Sequence, residues 1–326
     1  MENVLEVKNL VVDIRTQKGI IHAVRGVSFS LRQGETLAVV GESGCGKSMT
    51  MKAVMQILPK NAKITDGQVL FHGKDLSKYS DRRMEKLRGS DISMIFQDPM
   101  TSLNPTMKIG KQIEEVLKLH RKEMTPDERR KRVVELLDLV GISNPETRYG
   151  QYPHQLSGGQ RQRVDIAMAL ACDPDVLIAD EPTTALDVTI QAQILDLMRE
   201  LQKKVRTSII IITHNLGVVA NIADRVAVMY GGKIVETGDV RDIFYSPAHE
   251  YTKALLDSIP GAGDKERLHP IPGTPPGLMK PPAGCPFAAR CRETMEVCEK
   301  FMPDFYDQGA AHKAACWMLD PRAKEA

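Results

Sequence analysis

Short apolar runs and helical periodicity alternate along most of the chain. Nearly continuous apolar runs at residues 36–40, 176–179 and 208–213 are typical of buried parallel strands. A helical pattern over residues 188–205 separates the last two runs, which gives a strand–helix–strand unit. Residues 4–40 have β character throughout. We therefore predict an α/β fold that begins with a β-rich segment.

The middle of the chain is predicted to be helical. Residues 125–128 (TPDE) provide an N-cap followed by proline at the first helical position, and Gly141 ends the apolar stripe of this helix. A second helix is expected from about residue 158 to about residue 171. We therefore expect an α-helical insert over about residues 100–170, between flanks that contain strands.

The composition changes after a last amphipathic helix at residues 251–259. Residues 260–284 are rich in glycine and proline, which predicts an irregular link to a C-terminal segment that contains cysteines. We therefore expect a main domain over residues 1–250 and a short extension over residues 251–326.

Composition and charge exclude several classes of protein. The 326 residues are 42% hydrophobic and 26% charged, a mixture that excludes a wholly disordered chain. The 44 Lys and Arg against 42 Asp and Glu leave a net charge of +2, so no nucleic-acid partner is expected. No apolar run reaches the roughly 20 residues that span a bilayer, and the N-terminus lacks the apolar core of a secretory signal. We expect a cytosolic chain whose membrane role comes through a partner.

A glycine-rich loop at residues 41–48 (GESGCGKS) fits the pattern G-x-x-x-x-G-K-[ST], between the strand at 36–40 and a helix predicted at 48–58 and stopped by Pro59. Backbone N–H groups of such a loop surround a β-phosphate, and the helix N-terminus adds its positive end. Lys47 can reach the β- and γ-phosphates, and Ser48 can offer its hydroxyl to Mg²⁺. The loop alone indicates an NTPase and leaves kinases, GTPases and motor ATPases open. The residues expected to bind nucleotide here are Gly41, Ser43, Gly44, Cys45, Gly46, Lys47, Ser48 and Met49.

Acidic and basic side chains follow two of the predicted strands. The apolar strand that ends in Asp180 and Glu181 exposes its carboxyl end, where ligands bind in open α/β sheets. Asp180 can orient Mg²⁺ through water, and Glu181 can polarise the attacking water as a general base. His214 ends the next apolar strand and could contact the γ-phosphate. Each residue alone is more simply explained as a surface charge, but their order after the phosphate loop favours catalysis.

The segment LSGGQ at residues 156–160 opens a predicted helix, so free backbone N–H groups and the positive helix end face outward. Ser157, Gly159 and Gln160 can therefore bind a γ-phosphate. The chain already has a phosphate loop more than 100 residues earlier. We interpret LSGGQ as half of a second site that completes the nucleotide of another chain, so that two chains placed head to tail trap two ATP molecules.

Together these motifs resemble the ATP-binding subunit of an ABC transporter over about residues 4–245. Gln97 in IFQDP and the Ala-Leu-Asp run ending at Asp187 extend the match. The resemblance implies a P-loop NTPase (RecA-like) core with an antiparallel β subdomain and an α-helical insert that grips the transporter's coupling helices. It also implies that Gln97 senses Mg²⁺ and nucleotide, and that Asp187 crosses the dimer interface.

More local stretches are similar to the D-type ATPase subunit of oligopeptide and dipeptide importers; they lie at residues 94–107, 152–164, 179–194, 251–261, 271–277 and 284–291. This similarity implies an ATPase on the cytoplasmic face of the cell membrane, paired with a paralogous F-type ATPase subunit as a heterodimer. It further implies two transmembrane permease subunits and an extracytoplasmic peptide-binding protein. The alternatives are import of another solute, such as a nickel chelate or a sugar, or a soluble ABC ATPase of DNA repair or translation. The chain lacks the long coiled coils and the second cassette typical of those soluble types.

Many members of this family stack adenine on an aromatic residue about 30 positions before the phosphate-loop lysine. The equivalent residues 13–18 of this chain include no aromatic side chain. Arg15 could stack through its guanidinium, and His22 is a more remote candidate. Contact with the base is therefore the least specified part of the nucleotide site.

Four of the six cysteines, Cys285, Cys291, Cys298 and Cys316, fall within the last 42 residues. Clustered cysteines in a reducing cytosol are more often metal ligands than disulfides. Their spacing matches neither the usual zinc ribbon nor the common ferredoxin run, and by itself favours zinc. The resemblance instead favours a [4Fe–4S] cluster, because some peptide-importer ATPases hold one in this extension. Zinc, unligated thiols and disulfides are the alternatives.

Overall fold

The structure is a computed structural model that describes residues 2–97, 102–183, 187–258, 271–309 and 311–324. The strands, in chain order, are β1 (Asn3–Thr16), β2 (Gly19–Arg32), β3 (Thr36–Val40), β4 (Ala62–Phe71), β5 (Lys74–Asp75), β6 (Ile92–Ile95), β7 (Val176–Asp180), β8 (Ser208–Thr213), β9 (Arg225–Tyr230), β10 (Lys233–Asp239), β11 (Tyr306–Asp307) and β12 (Lys313–Ala314). The α-helices are α1 (Lys47–Val54), α2 (Asp81–Leu87), α3 (Ile109–His120), α4 (Pro126–Leu139), α5 (Pro145–Arg148), α6 (Gly158–Ala169), α7 (Val188–Val205), α8 (Leu216–Ile222), α9 (Val240–Tyr245), α10 (Glu250–Asp257) and α11 (Glu296–Lys300).

The chain forms two compact units. The first contains Met1–Leu5, Leu31–Thr36 and Lys78–Ile212, and the second contains Glu6–Ser30, Leu37–Ser77 and Thr213–Ala326. The two contain different parts of the predicted site, because the glycine loop lies in the second unit and the acidic strand end lies in the first. None of the helices built from described residues is long and apolar enough to cross a membrane.

The first unit has a parallel sheet and a group of helices. Strand β7 pairs in parallel with β6 and with β8, and every residue of β7 and β8 is buried. This burial explains why both strands are continuous apolar runs in the sequence. Helices α3, α4 and α6 pack on one another, and α6 also packs on β6.

Helix α4 of the first unit begins as its sequence predicts. The Thr125 side chain accepts the backbone N–H of Glu128, and the Glu128 carboxylate accepts the backbone N–H of Thr125. Pro126 occupies the first position of the helix. This reciprocal capping box satisfies backbone donors that a helix start leaves unpaired.

The second unit contains two sheet arrangements. One is four-stranded in the order β2-β1-β4-β5. In the other, β3 pairs in parallel with β9, and β9, β10, β12 and β11 continue in antiparallel order. Two strands of the C-terminal extension thus lengthen a sheet of the main domain, with Glu236 opposite Ala314. The sequence predicted an irregular link over residues 260–284 and did not reveal these strands, because two-residue strands leave no alternating pattern.

A buried carboxylate ties the extension to β10. Glu236 is fully buried and accepts the backbone N–H groups of Ala248 and His249 at 2.7 and 3.0 Å. Its carboxylate also lies 2.7 Å from Nε2 of His312, which is buried as well. Hydrogen bonds from three donors offset the cost of burying the carboxylate.

Candidate nucleotide-binding site

The glycine loop leaves β3 at Gly41 and enters α1 at Lys47. Gly41 and Gly46 have φ of +151° and +105°, and a Cβ on them would lie 2.0 Å from the Met229 carbonyl oxygen and 2.4 Å from that of Ala23. No L side chain fits either position. The two glycines are required because the loop passes close to neighbouring backbone, a reason that is independent of any ligand.

The Lys47 side chain folds back over the glycine loop. The residue is 5% exposed, and its Nζ donates to the carbonyl oxygens of Gly41 and Glu42 at 2.7 and 2.9 Å. The first turn of α1 contains no acidic residue, so its positive end is not neutralised locally. The loop therefore provides a cation and a helix N-terminus at one place, an arrangement suited to an anion.

The other predicted loop residues differ in exposure. Ser43 and Gly44 are exposed, Ser48 and Met49 are half-buried, and Cys45 is buried. Burial raises the pKa of the Cys45 thiol, and the nearby Lys47 opposes this effect. The exposed backbone at residues 43–44 is the part of the loop that a ligand can reach.

Helix α1 is shorter than predicted. It ends at Val54, whereas the sequence predicted a helix to residue 58 stopped by Pro59. Gln56 adopts a left-handed φ of +52°, and its backbone N–H donates to Ala53. The left-handed residue ends the helix before the proline is reached.

The acidic strand end lies in the first unit. Asp180 is the last residue of β7 and is 3% exposed. The next residue, Glu181, has a left-handed φ of +49°, which is uncommon for a residue other than glycine, and its N–H donates to Ile212. Gln97 donates from Nε2 to the Glu181 carboxylate at 3.1 Å. The structure thus brings together Gln97 and Glu181, which are 84 positions apart.

His214 directly follows β8 and is exposed. Its neighbour Asn215 caps α8 by accepting the backbone N–H of Gly217 at 2.9 Å. The predicted contact of His214 with a γ-phosphate stays a prediction.

The LSGGQ segment starts α6 with a second capping box. The Ser157 hydroxyl accepts the N–H of Gln160 at 3.3 Å, and the Gln160 side chain accepts the N–H of Ser157 at 3.0 Å. Ser157 is exposed, so this helix start faces solvent. A Cβ on Gly159 would lie 2.8 Å from the Ile190 side chain, so glycine there also permits close packing on α7. Asp187 is exposed at the N-cap of α7, while its motif neighbours Ala185 and Leu186 lie outside the described residues.

The two candidates for base stacking lie in the second unit. His22 is half-exposed, and its Nδ1 lies 2.8 Å from the Asp13 carboxylate. Arg15 is exposed, and its backbone exchanges hydrogen bonds with Asn61. The Asp13 contact orients the His22 ring, but which of the two side chains contacts a base stays a prediction.

The four cysteines of the extension line one small cavity beside His249, and their thiols are free. Burial raises the pKa of Cys285 to about 12 and that of Cys291 to about 11. Across the described residues, no group of three or more His, Cys, Asp or Glu side chains is arranged to hold a metal ion. The prediction of a [4Fe–4S] cluster at Cys285, Cys291, Cys298 and Cys316 is therefore wrong, and zinc has no support either.

The sequence motifs do not reveal two contacts that hold the glycine loop in place. The Glu42 backbone N–H donates to the Tyr251 hydroxyl at 2.9 Å, and the Gly232 N–H donates to the Cys45 carbonyl at 3.1 Å. Tyr251 is fully buried. No sequence signal identifies these partners, because they lie about 190 or more positions from the loop.

Comparisons with known proteins agree with these motifs. Residues 24–184 match a family described as ABC transporter, and residues 235–298 match one described as oligopeptide/dipeptide transporter, C-terminal region. The dipeptide transport ATP-binding protein DppD of Bacillus subtilis is 57% identical, with 100% of this chain and 98% of that protein covered. The oligopeptide transport ATP-binding protein OppD of Haemophilus influenzae is 49% identical, with 98% of each chain covered. These relatives' names refer to transport and ATP and not to a metal centre.

Solved structures give the same fold. A dimeric ATP-binding cassette, MJ0796, bound to ADP and Pi is 29% identical with a TM-score of 0.65, over 73% of this chain and 99% of that one. The cbiO1 protein of Clostridium perfringens, part of an ABC transporter complex, is 32% identical with a TM-score of 0.65, over 76% of this chain and 92% of that one. The predicted α/β P-loop NTPase fold is confirmed.

Proposed function

The chain belongs to the ABC transporter family as the ATPase subunit of an oligopeptide or dipeptide importer, and from this membership we propose roles for its residues and partners. The C-terminal match and the relatives' names favour peptides over a nickel chelate or a sugar, and favour transport over a soluble function. The choice between dipeptides and longer peptides belongs to the partner subunits.

In the second unit, the glycine loop holds the ATP phosphates. Lys47 leaves the carbonyl groups of Gly41 and Glu42 and donates to the β- and γ-phosphates instead, because phosphate oxygens carry more charge than carbonyl oxygens. The backbone at Ser43, Gly44, Cys45 and Gly46 surrounds the β-phosphate, and Met49 follows in the first turn of α1.

Ser48 and Gln97 are the residues that would hold Mg²⁺, and Asp180 would orient the ion through water. Their hydroxyl, amide and carboxylate oxygens are the ligand types that Mg²⁺ prefers. The ion, when bound, neutralises charge that develops on the phosphate oxygens.

Glu181 acts as the general base that takes a proton from the attacking water. The observation that carries this assignment is the 3.1 Å hydrogen bond from Gln97 to the Glu181 carboxylate. This bond fixes the orientation of the Glu181 side chain. His214 contacts the γ-phosphate and keeps the water in line.

The solvent-facing start of α6 completes the nucleotide site of a second ATPase chain. Ser157, Gly159 and Gln160 supply donors to the partner's γ-phosphate, and Asp187 reaches across the same interface. We assign a paralogous subunit as this partner. The pair works at the cytoplasmic face of the cell membrane with two transmembrane permease subunits and an extracytoplasmic peptide-binding protein.

Two substitutions test these roles separately. Glu181→Gln should keep ATP affinity and lower kcat by about a hundredfold or more, because it removes the base and keeps the shape. Lys47→Ala should instead weaken ATP binding by about tenfold or more, because a charge-assisted contact is lost. Glu135→Gln, a change at an exposed acid of α4, is the matched control. Hydrolysis at the wild-type rate by Glu181→Gln would refute the base, and wild-type ATP affinity in Lys47→Ala would refute the loop.

A further inference from the structure

Glu42 occupies a position of the glycine loop that the phosphate-binding pattern leaves open. The structure nevertheless holds this residue from three sides. Its backbone N–H donates to the Tyr251 hydroxyl at 2.9 Å, and its carbonyl accepts Nζ of Lys47 at 2.9 Å. Its carboxylate accepts both terminal nitrogens of Arg290 at 2.8 and 3.1 Å. This number of contacts at an open position indicates that Glu42 does more than fill the loop.

Arg290 comes from the C-terminal extension, at the end of the 3₁₀ turn Ala288–Arg290. Its side chain is only 6% exposed. Besides Glu42, it donates to the Tyr230 hydroxyl at 2.9 Å and to the carbonyl oxygens of Pro272 and Ile271 at 2.7 and 3.2 Å. Every nitrogen of the guanidinium therefore has a partner, and the group is fixed before any ligand arrives.

Aromatic packing holds the same part of the extension in place. Phe287 lies three residues before Arg290, and its ring centroid is 5.3 Å from those of both Tyr230 and Tyr251. The two tyrosine rings are 4.5 Å apart. Their hydroxyls are the groups that bond Arg290 and Glu42, so the extension and the loop share one rigid support.

The negative charge of Glu42 would affect ATP binding if Arg290 did not neutralise it. A triphosphate is strongly anionic, and an unpaired carboxylate at the second position of its loop would repel it. Burial by itself lowers the pKa of Arg290, but the hydrogen bonds to Glu42 and Tyr230 outweigh it and raise the pKa, so the guanidinium is charged. The bidentate pair neutralises Glu42 and also fixes where its backbone lies.

We propose that Arg290 is a positioning residue for ATP hydrolysis, which through Glu42 holds the glycine loop in its phosphate-binding shape and cancels the carboxylate charge beside the triphosphate. The extension is then part of the nucleotide site and not only an appendage of the transporter. This inference rests on the proposed function, because it takes the glycine loop as the phosphate site.

The test measures Mg-ATP affinity and steady-state hydrolysis in the full chain. Arg290→Gln should raise both Kd and KM for ATP about tenfold, the effect expected for one charged hydrogen-bonded contact, with kcat within about twofold of wild type. Adding Glu42→Gln to Arg290→Gln should bring KM back to within about threefold of wild type, because the repelling charge is gone. Arg290→Lys keeps the charge but not the two-pronged contact and should raise KM about threefold.

Arg322→Gln is the matched control, because Arg322 binds Asp320 through two nitrogens within the same extension. It should leave KM unchanged. Wild-type KM in Arg290→Gln would overturn the proposal, as would a fall in kcat alone or a double variant no better than Arg290→Gln, since a merely structural role predicts those results. If Arg290→Gln does not fold, Arg290→Lys replaces it. KM of Arg290→Lys is then compared with KM of the double variant that also carries Glu42→Gln, which should be closer to wild type. Failure of the proposed function itself would differ, because ATP affinity in Lys47→Ala would then equal that of wild type.

Discussion

Asp165 on α6 is a carboxyl group in an environment that disfavours its charge. It is 3% exposed, and within the described residues its Oδ2 has no hydrogen-bond partner. Burial raises its pKa from 3.8 to about 7, and a hydrogen bond from Ser102 opposes the rise. The folded chain therefore keeps a proton on Asp165 that the unfolded chain loses.

This difference in pKa makes the free energy of unfolding depend on pH. As pH rises from about 4 to about 7 the unfolded chain releases the proton first, so the free energy of unfolding falls, and above about 7 it levels off. At about 1.4 kcal/mol for each pH unit, the free energy of unfolding is lower than at acid pH by about 2 kcal/mol at pH 5 and by about 4 kcal/mol at pH 8.

Asp165→Asn isolates this cost, because an amide has the shape of the protonated acid and also places a donor where Oδ2 lies. The variant should be more stable than wild type by about 2 kcal/mol at pH 5 and by about 4 kcal/mol at pH 8. Urea unfolding followed by circular dichroism at the two pH values measures the difference. Asp196→Asn, at an exposed position of α7, is the control and should change little at either pH. An equal gain at both pH values, or a loss at pH 8, would refute the reasoning.

Two further substitutions test the loop and the attachment of the extension. Gly46→Ala should remove detectable ATP binding in a nucleotide titration, because its Cβ would lie 2.4 Å from the Ala23 carbonyl oxygen at a φ of +105°; wild-type affinity would show that the loop tolerates a side chain. His312→Ala should lower the free energy of unfolding by about 2 kcal/mol, because the buried Glu236 loses one of its donors. His312→Gln should recover part of that loss, and an unchanged urea midpoint for His312→Ala would contradict the role of the pair.

Local features of the site were predictable from the sequence. The glycine loop, the acidic end of β7 and the capping box at Thr125 each depend on residues within about ten positions of one another. Glycine conformation, strand burial and side-chain capping act over that range, so a pattern of residue types is enough to predict them.

Long-range features were not predictable in the same way. The contact between Glu42 and Arg290 joins positions 248 apart, and only tertiary packing creates it. The left-handed backbone of Glu181 could not be predicted either, because a positive φ is usually expected at glycine and not at glutamate. The spacing of the cysteines, together with the resemblance, predicted a metal centre, but spacing does not determine how the side chains are arranged in the fold, and among the described residues no group of three or more His, Cys, Asp or Glu is placed to hold a metal ion.

We infer that ATP hydrolysis at this chain's nucleotide site drives peptide uptake. The most direct measurement is uptake of a radiolabelled dipeptide by cells whose only copy of the chain carries Glu181→Gln, with wild-type cells compared at equal amounts of the protein. We predict uptake at the background level in the variant, because without the proposed general base ATP is not hydrolysed. Uptake at the wild-type rate in the variant would show that hydrolysis at this site does not drive transport.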